Sequence, residues 1–314
     1  MVPHHDPAPA ATDGPLVGPV PAPQLHVMTF NIRRRMWHPT GRSPDLWSRR
    51  KGLIRRLLAA ERPTVLSVQE ALPDQADWVL AGLGPDYRRV GTGRRADGGG
   101  EGTPIFYDGQ RLQLTGSNQW ALSETPHRAG SRSWGNLVPR IAVAANFTDR
   151  ETGAAFRVIN THLDHLSARS RLASARMLRR LVEDRAEPTV LTADANTGTR
   201  SRPYRSLTGP DQSGAAPLRD AWMDAEDRVT EEWGTFSNYR PPRRGGRRID
   251  WILVDERFTV AAAGIHAARF DGAAASDHEP VQAVLALPGS TSFIAAYASS
   301  ACRRDSWRST IGSG

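Results

Sequence analysis

Apolar and polar positions follow two rhythms along this chain, and the change from one to the other marks its elements. Phe156-Arg-Val-Ile-Asn-Thr-His162 is a short apolar run with β-branched residues, which predicts a buried strand. Beyond it Leu172, Ala175, Leu178 and Leu181 recur at steps of three, while Arg169, Arg176, Arg179 and Arg180 stay largely off that line. That spacing predicts an amphipathic helix. Thr189 to Ala193 reads as a second buried strand. Strand, helix and strand in this span predict a crossover between parallel strands. His162 and Asp194-Ala-Asn196 then share one edge of a sheet.

The same reading gives strands at Leu25 to Phe30, Thr64 to Val68, Tyr87 to Val90, Pro104 to Tyr107, Leu112 to Leu114, Ile141 to Phe147, Ile249 to Val254 and Val281 to Leu287. Helices are predicted over Pro44 to Ala60 and Pro73 to Leu83. Gly91-Thr-Gly-Arg-Arg-Ala96 mimics a dinucleotide fingerprint, but more glycines follow where a helix must begin. It is expected to be a flexible rim loop. Asn118 to Arg140 reads as a long connection carrying Trp120, Trp134, Arg128, Arg132 and Arg140, a length that is usually functional or mobile.

Residues 1–24 are rich in Pro and Ala and are expected to be disordered, as is the Ser/Ala/Gly-rich stretch 288–314, which leaves one domain over 25–287. The N-terminal stretch lacks the basic and apolar regions of a signal peptide. No run of 18 apolar residues occurs, so no membrane span and no stable membrane association are expected. A single cysteine, Cys302, excludes an internal disulfide framework and a cysteine-built zinc site. It points to a cytoplasmic protein, with a secreted form left open. The net charge of +8 fits a polyanionic partner and equally a solvated basic surface. Since Lys51 is the only lysine, the arginine excess reflects biased codon usage more than selection for guanidinium chemistry. The chain is expected to act as a monomer.

Polar residues sit at strand ends throughout. Asn31, Glu70, His162, Asp194 and Asn196 follow strands, whereas Asp250 and Asp277-His278 precede or begin them. If the last strands run antiparallel to the others, all of these side chains meet at one rim. Taken singly, an Asn after a strand is a turn residue and a Glu there a helix N-terminal acid. Asp250 resists that reading, because an ionised acid in an Ile-Asp-Trp-Ile-Leu-Val run needs a partner, and His278 is a natural one. No G-x-S-x-G elbow is present.

Thr29-Phe-Asn31, Val68-Gln-Glu70, Asn160-Thr-His162-Leu, Asp194-Ala-Asn196, Arg248-Ile-Asp250-Trp-Ile-Leu and Ser276-Asp-His278-Glu-Pro280, in this order, resemble the endonuclease/exonuclease/phosphatase superfamily. Ala195 stands where that family usually has an aromatic residue. The resemblance implies an α/β (α+β) fold, a four-layer α/β/β/α sandwich of two mixed sheets with the site at one end. It implies a Mg²⁺- or Mn²⁺-dependent phosphoesterase with Glu70, Asn31 and Asp277 around the metal. Asp194 and Asn196 would activate water, Asp250 and His278 would form a hydrogen-bonded pair, and His162 would face the phosphate. Arg132, Trp134, Arg140 and Asp164 are the expected substrate contacts. The expected substrate is a phosphodiester in nucleic acid or a nucleotide. The alternatives are a phosphomonoesterase, a lipid or inositol phosphate hydrolase, and a catalytically silent binding module.

Overall fold

The computed structural model describes residues 14–184, 186–210 and 216–287. In chain order the elements are β1 (Gln24–Asn31), α1 (Trp47–Glu61), β2 (Val65–Gln69), α2 (Pro73–Leu83), β3 (Tyr87–Val90), β4 (Ile105–Asp108), β5 (Leu112–Ala121), β6 (Ile141–Asp149) and β7 (Ala155–His162). Then follow α3 (Ala168–Glu183), β8 (Thr189–Asp194), α4 (Arg202–Thr208), β9 (Arg219–Asp220), α5 (Ala221–Asp224), β10 (Asp227–Arg228), β11 (Asp250–Val254), β12 (Thr259–Ile265) and β13 (Val281–Ala286). Local chemistry sets several boundaries. Ser167 and Ser201 accept from the amides of Ser170 and Tyr204 at the starts of α3 and α4. Pro73 opens α2 at a position whose N–H has no helical partner.

The strands form two mixed sheets, one in the order β10-β12-β13-β1-β2-β4-β3 and the other in the order β5-β6-β7-β8-β11-β9. Side-chain direction alternates along each strand, and here the alternation sorts three cores. Leu25, Val27 and Val65 point inward with Val158, Val190, Ile252 and Val254 of the opposite sheet, filling the space between sheets. Met28, Phe30, Leu66 and Val68 point outward against Ile54, Leu57, Leu58, Val79 and Leu83 of α1 and α2. Ile159, Leu191, Trp251 and Leu253 point outward against Leu178 and Leu207 of α3 and α4. The result is the expected α/β/β/α sandwich.

Inward parity also carries Asn31, Gln69, Asn160, His162, Thr192, Asp194 and Asp250, further along the same strands. The crossover is parallel, with His162 paired opposite Asp194. β11 runs antiparallel to β8 and pairs Asp250 with Asp194, and β13 runs antiparallel to β1. The rim predicted from the strand ends therefore forms.

Three readings of the pattern need correction. β5 runs to Ala121 rather than Leu114, because an irregularity at Leu114/Gly116 breaks its alternation. An edge strand also leaves one face polar, so its second half reads as loop. β12 is a full strand that its small residues concealed. A Cβ on Gly264 would lie 2.9 Å from Leu16 Cδ2 and 2.8 Å from Val229 Cγ2, so close packing demands small side chains there. The third concerns the N-terminal stretch. Residues 14–23 lie on the domain, where the buried Glu61 accepts from the amides of Leu16, Val17 and Gly18 at 2.7, 3.1 and 3.0 Å. Val17 and Val20 pack on Ala261, Ala262 and Val284. The expected tail, Cys302 and residues 1–13 lie outside the described residues. No helix among the described residues is long and apolar enough to cross a membrane.

Candidate active site

Asn31 Nδ2 is the hub of the rim. It donates to Asp194 Oδ2 at 2.8 Å and to Glu70 Oε1 at 3.2 Å, tying an acid of each sheet together. Glu70 adopts a left-handed φ of 61°, which turns its carboxylate back to accept from Arg34 N at 3.1 Å. Asn196, with φ 52°, sends its amide N–H to Asp194 Oδ1 at 3.0 Å. Non-glycine residues held in this region cost stability and persist where the surroundings over-determine them.

His278 Nδ1 donates to Asp250 Oδ2 at 2.9 Å, and its Nε2 lies 3.8 Å from Asp194 Oδ2. Burial works against a charged His278, but Asp250 and Asp194 outweigh it and hold the ring well above the ordinary imidazole range. Asp250 is itself seated by Thr235, whose Oγ1 accepts from the amides of Ile249 and Asp250 at 2.9 and 3.1 Å.

His162 behaves oppositely. Burial, then Arg140, His278 and Arg94, depress its proton affinity well below the usual value. Asn196 Nδ2 donates to His162 Nε2 at 2.9 Å, so this nitrogen is an acceptor and the ring is neutral. Burial pushes Asp194 up to about 7, with His278 opposing and Asp250 adding. Asp277 is likewise raised, by burial and by Glu70, against His278 and Arg33. Glu70 lies below its ordinary range despite burial, because the Arg34 amide, Arg33 and His278 favour the anion.

The set is short of positive charge. Four carboxylates, Glu70, Asp194, Asp250 and Asp277, face two cations, His278 and Arg33. The Arg33 guanidinium spans Glu70 at 3.7 Å and Asp277 at 3.6 Å. Such a donor set fits a divalent cation. Asp194, Asp250 and His278 present ligand atoms within 4.8 Å of one another. Glu70 and Asp277 supply an oxygen-only alternative, which suits a hard ion better than an imidazolium does. The expected metal contact of Asn31 is not of this kind, because its Nδ2 faces the acids and its Oδ1 accepts from Arg33 N at 2.9 Å.

The structure thus brings Asn31, Glu70, His162, Asp194, Asn196, Asp250, Asp277 and His278 together. The four expected substrate contacts are placed differently. Arg140 and Asp164 pair at 3.5 Å and are both buried next to His162. Asp164 Oδ1 accepts from the amides of Leu166 and Ser167, which turns the chain into α3. The ring of Trp134 packs on the outer-face cluster of the six-stranded sheet, with Nε1 donating to Glu124 at 3.1 Å. Arg132 is exposed and donates to Leu137 O at 2.7 Å. No contact among the described residues joins Arg132 or Trp134 to the acid–histidine cluster. Reading by strand ends missed Arg33, Thr235 and Phe236, which lie in connections with no periodicity to flag them. Phe236, 49% exposed, packs its ring 4.9 Å from that of His278.

The sequence profile described as the Endonuclease/Exonuclease/phosphatase family matches residues 28–278. No curated protein sequence matches the chain. Among solved structures, the endonuclease/exonuclease/phosphatase from Bacteroides vulgatus is 31% identical, with a TM-score of 0.76 over 84% of this chain and 99% of that one. A mannosyl-6-phosphatase from Bacteroides thetaiotaomicron is 27% identical, with a TM-score of 0.74 over 83% of this chain and 99% of that one. The human nocturnin catalytic domain, with bound sulfate, shares the fold at 18% identity, with a TM-score of 0.62 over 84% and 94%. The profile match takes in every residue of the acid, amide and histidine rim, from Asn31 to His278, and on that span the chain belongs to the endonuclease/exonuclease/phosphatase family.

Proposed function

We propose that this protein is a Mg²⁺- or Mn²⁺-dependent phosphodiesterase acting on nucleic acid or nucleotides. The observation that carries the reading is the convergence of four carboxylates, two carboxamides and two histidines on one inter-sheet rim. Asp194, buried yet held by Asn31 and Asn196, is the base that takes a proton from the attacking water. The His278 cation, fixed by Asp250, donates from Nε2 to a non-bridging phosphate oxygen as charge develops there. Neutral His162 and the Asn196 amide orient the phosphate from the other sheet. Glu70 and Asp277 would hold the divalent ion, with Asn31 Nδ2 fixing the Glu70 carboxylate, and the ion when bound polarises the phosphoryl group and neutralises its charge.

The half-exposed ring of Phe236 against His278 supports a planar base as the neighbour of the scissile phosphate. A second reading, hydrolysis of a sugar phosphomonoester, is favoured by the similarity to the mannosyl-6-phosphatase. An activity screen decides between them. Plasmid DNA, RNA, bis-p-nitrophenyl phosphate, p-nitrophenyl phosphate and mannose 6-phosphate are each offered with Mg²⁺ or Mn²⁺ and with EDTA. Turnover of diesters that EDTA abolishes is the expected result. Preference for the monoesters selects the second reading, and full activity in EDTA removes the metal from the scheme.

The pH profile tests the assignment of base and acid. Activity is expected to rise with pH through the neutral range as Asp194 loses its proton. It is expected to fall on the alkaline side as His278 gives up its own. The two limbs belong to the coupled set, so Asp250→Asn should move the alkaline limb to lower pH. A flat profile in kcat against pH would contradict these roles.

A further inference from the structure

The guanidinium of Arg33 is shared by three carboxylates and committed to none. Its Nε lies 3.5 Å from Asp45 Oδ1 and 3.6 Å from Asp277 Oδ2, and its Nη1 lies 3.7 Å from Glu70 Oε2. Charge-assisted bonds of a guanidinium run at about 2.7–2.9 Å, so these are ion pairs without a hydrogen bond. Nε is buried and has no hydrogen-bond partner. Buried donors are almost always satisfied, and this one stands unbonded between two acids.

Only the side chain is left uncommitted. The Arg33 backbone, at φ 55°, donates from its N–H to Asn31 Oδ1 at 2.9 Å. Its carbonyl accepts from Arg50 Nη2 at 3.1 Å and from Gln75 Nε2 at 3.2 Å. Arg50 is fully buried and also donates to Ile32 O at 2.7 Å. A left-handed residue clamped by so many partners marks a functional position.

Asp45 is the one of the three acids that stands outside the rim. It lies in the connection between β1 and α1, is 7% exposed, and gathers several groups. His38 Nε2 lies 3.0 Å from its Oδ2. Tyr239 Oη donates to its Oδ1 at 2.5 Å, and Arg50 Nη2 lies 3.5 Å from the same oxygen. Arg50 Nε donates to its carbonyl at 3.0 Å. Tyr239 follows the Ser237 and Asn238 amides, which both donate to Asp277 O at 3.0 Å. Asp45 is thus braced against the segment that seats Asp277.

Glu70 and Asp277 are the acids that would hold the divalent ion, and a guanidinium resting on them competes with that ion for their charge. Arginine does not lose its proton in proteins, so the competition can be relieved only by another acid. We propose that Asp45 is a positioning residue that draws Arg33 off Glu70 and Asp277 and thereby sets their affinity for the divalent ion. The inference deepens the metal-dependent reading and rests on Glu70 and Asp277 as the ligands of the ion.

Manganese binding tests it without turnover. Free Mn²⁺ is followed by electron paramagnetic resonance during titration of the full chain, previously stripped with EDTA. The samples are wild type, Arg33→Gln, the near-isosteric Asp45→Asn, the double variant and Glu70→Gln. Arg33→Gln should tighten binding about fivefold, the scale of one charge pair, because a competing cation is lost. Asp45→Asn should weaken it about threefold, because Arg33 then settles on Glu70 and Asp277. In the Arg33→Gln background the same Asp45→Asn change should have an effect of less than about twofold. A purely structural Asp45 would lower the melting temperature in both backgrounds and show no such dependence on Arg33. Equal weakening in both backgrounds would make Asp45 a distant charge and overturn the inference. So would Mn²⁺ binding that Arg33→Gln leaves unchanged or weakens. Glu70→Gln separates the two readings. If it leaves Mn²⁺ binding intact, the ligand assignment falls and this inference with it. If it abolishes binding that is indifferent to Arg33 and Asp45, this inference alone falls.

Discussion

Asp194→Asn is expected to lower kcat by at least two to three orders of magnitude, the scale of losing a positioned base. Its Oδ2 sits between the amide donor of Asn31 at 2.8 Å and the His278 ring at 3.8 Å. An amide in that place turns either a donor toward donors or an oxygen with no proton affinity toward water. Stability should be unchanged or slightly higher, because a buried acid is removed from a cluster already rich in acids. Circular-dichroism melting beside single-turnover kinetics on an activated diester checks both halves. Retention of more than about a tenth of wild-type kcat would refute Asp194 as the base.

Glu61→Ala is expected to destabilise the fold by about 3 kcal/mol, the range for breaking a buried charged contact. Three backbone N–H groups of residues 16–18 lose their acceptor, and His266 Nε2 loses a carboxylate 3.5 Å away. The melting temperature should fall by roughly 6–10 °C. Deleting residues 1–23 should produce a similar fall, and combining the two should be far from additive, since both break the same contact. Activity at low temperature should survive, because the contact lies apart from the acid–histidine rim. Additive losses would show that Glu61 and the N-terminal stretch act separately.

Much of the rim was legible in the sequence because strands state their own parity. In Phe156-Arg-Val-Ile-Asn-Thr-His162 the alternation that buries Phe156 and Val158 between the sheets also aims Asn160 and His162 there. Asp250 announced itself as an acid in an apolar run, and its partner His278 lies at 2.9 Å. What remained hidden was chemistry carried by loops. Arg33 pairs with Glu70, Asp45 and Asp277, yet nothing in its neighbours predicts where a chain at φ 55° will point it. Thr235 accepts from the amides of Ile249 and Asp250, where β11 begins, from a connection with no period. β12 escaped for a different reason. Its alanines and Gly264 answer to close packing against the N-terminal stretch, a tertiary demand with no local signature.

The shared parity of core and rim side chains also determines which kinds of genetic change this protein tolerates. Substitution can part fold from function, since Asp194 and Val190 occupy separate positions of the same strand face. A change of length cannot. One residue inserted or deleted within β1, β7, β8 or β11 rotates every later side chain to the opposite face. The aliphatic residues would leave the inter-sheet core in the same event that turned the acids away from the rim. Frame-preserving insertions and deletions should therefore accumulate in the connections and spare the strands, and a folded but inactive product of strand-length drift should not arise.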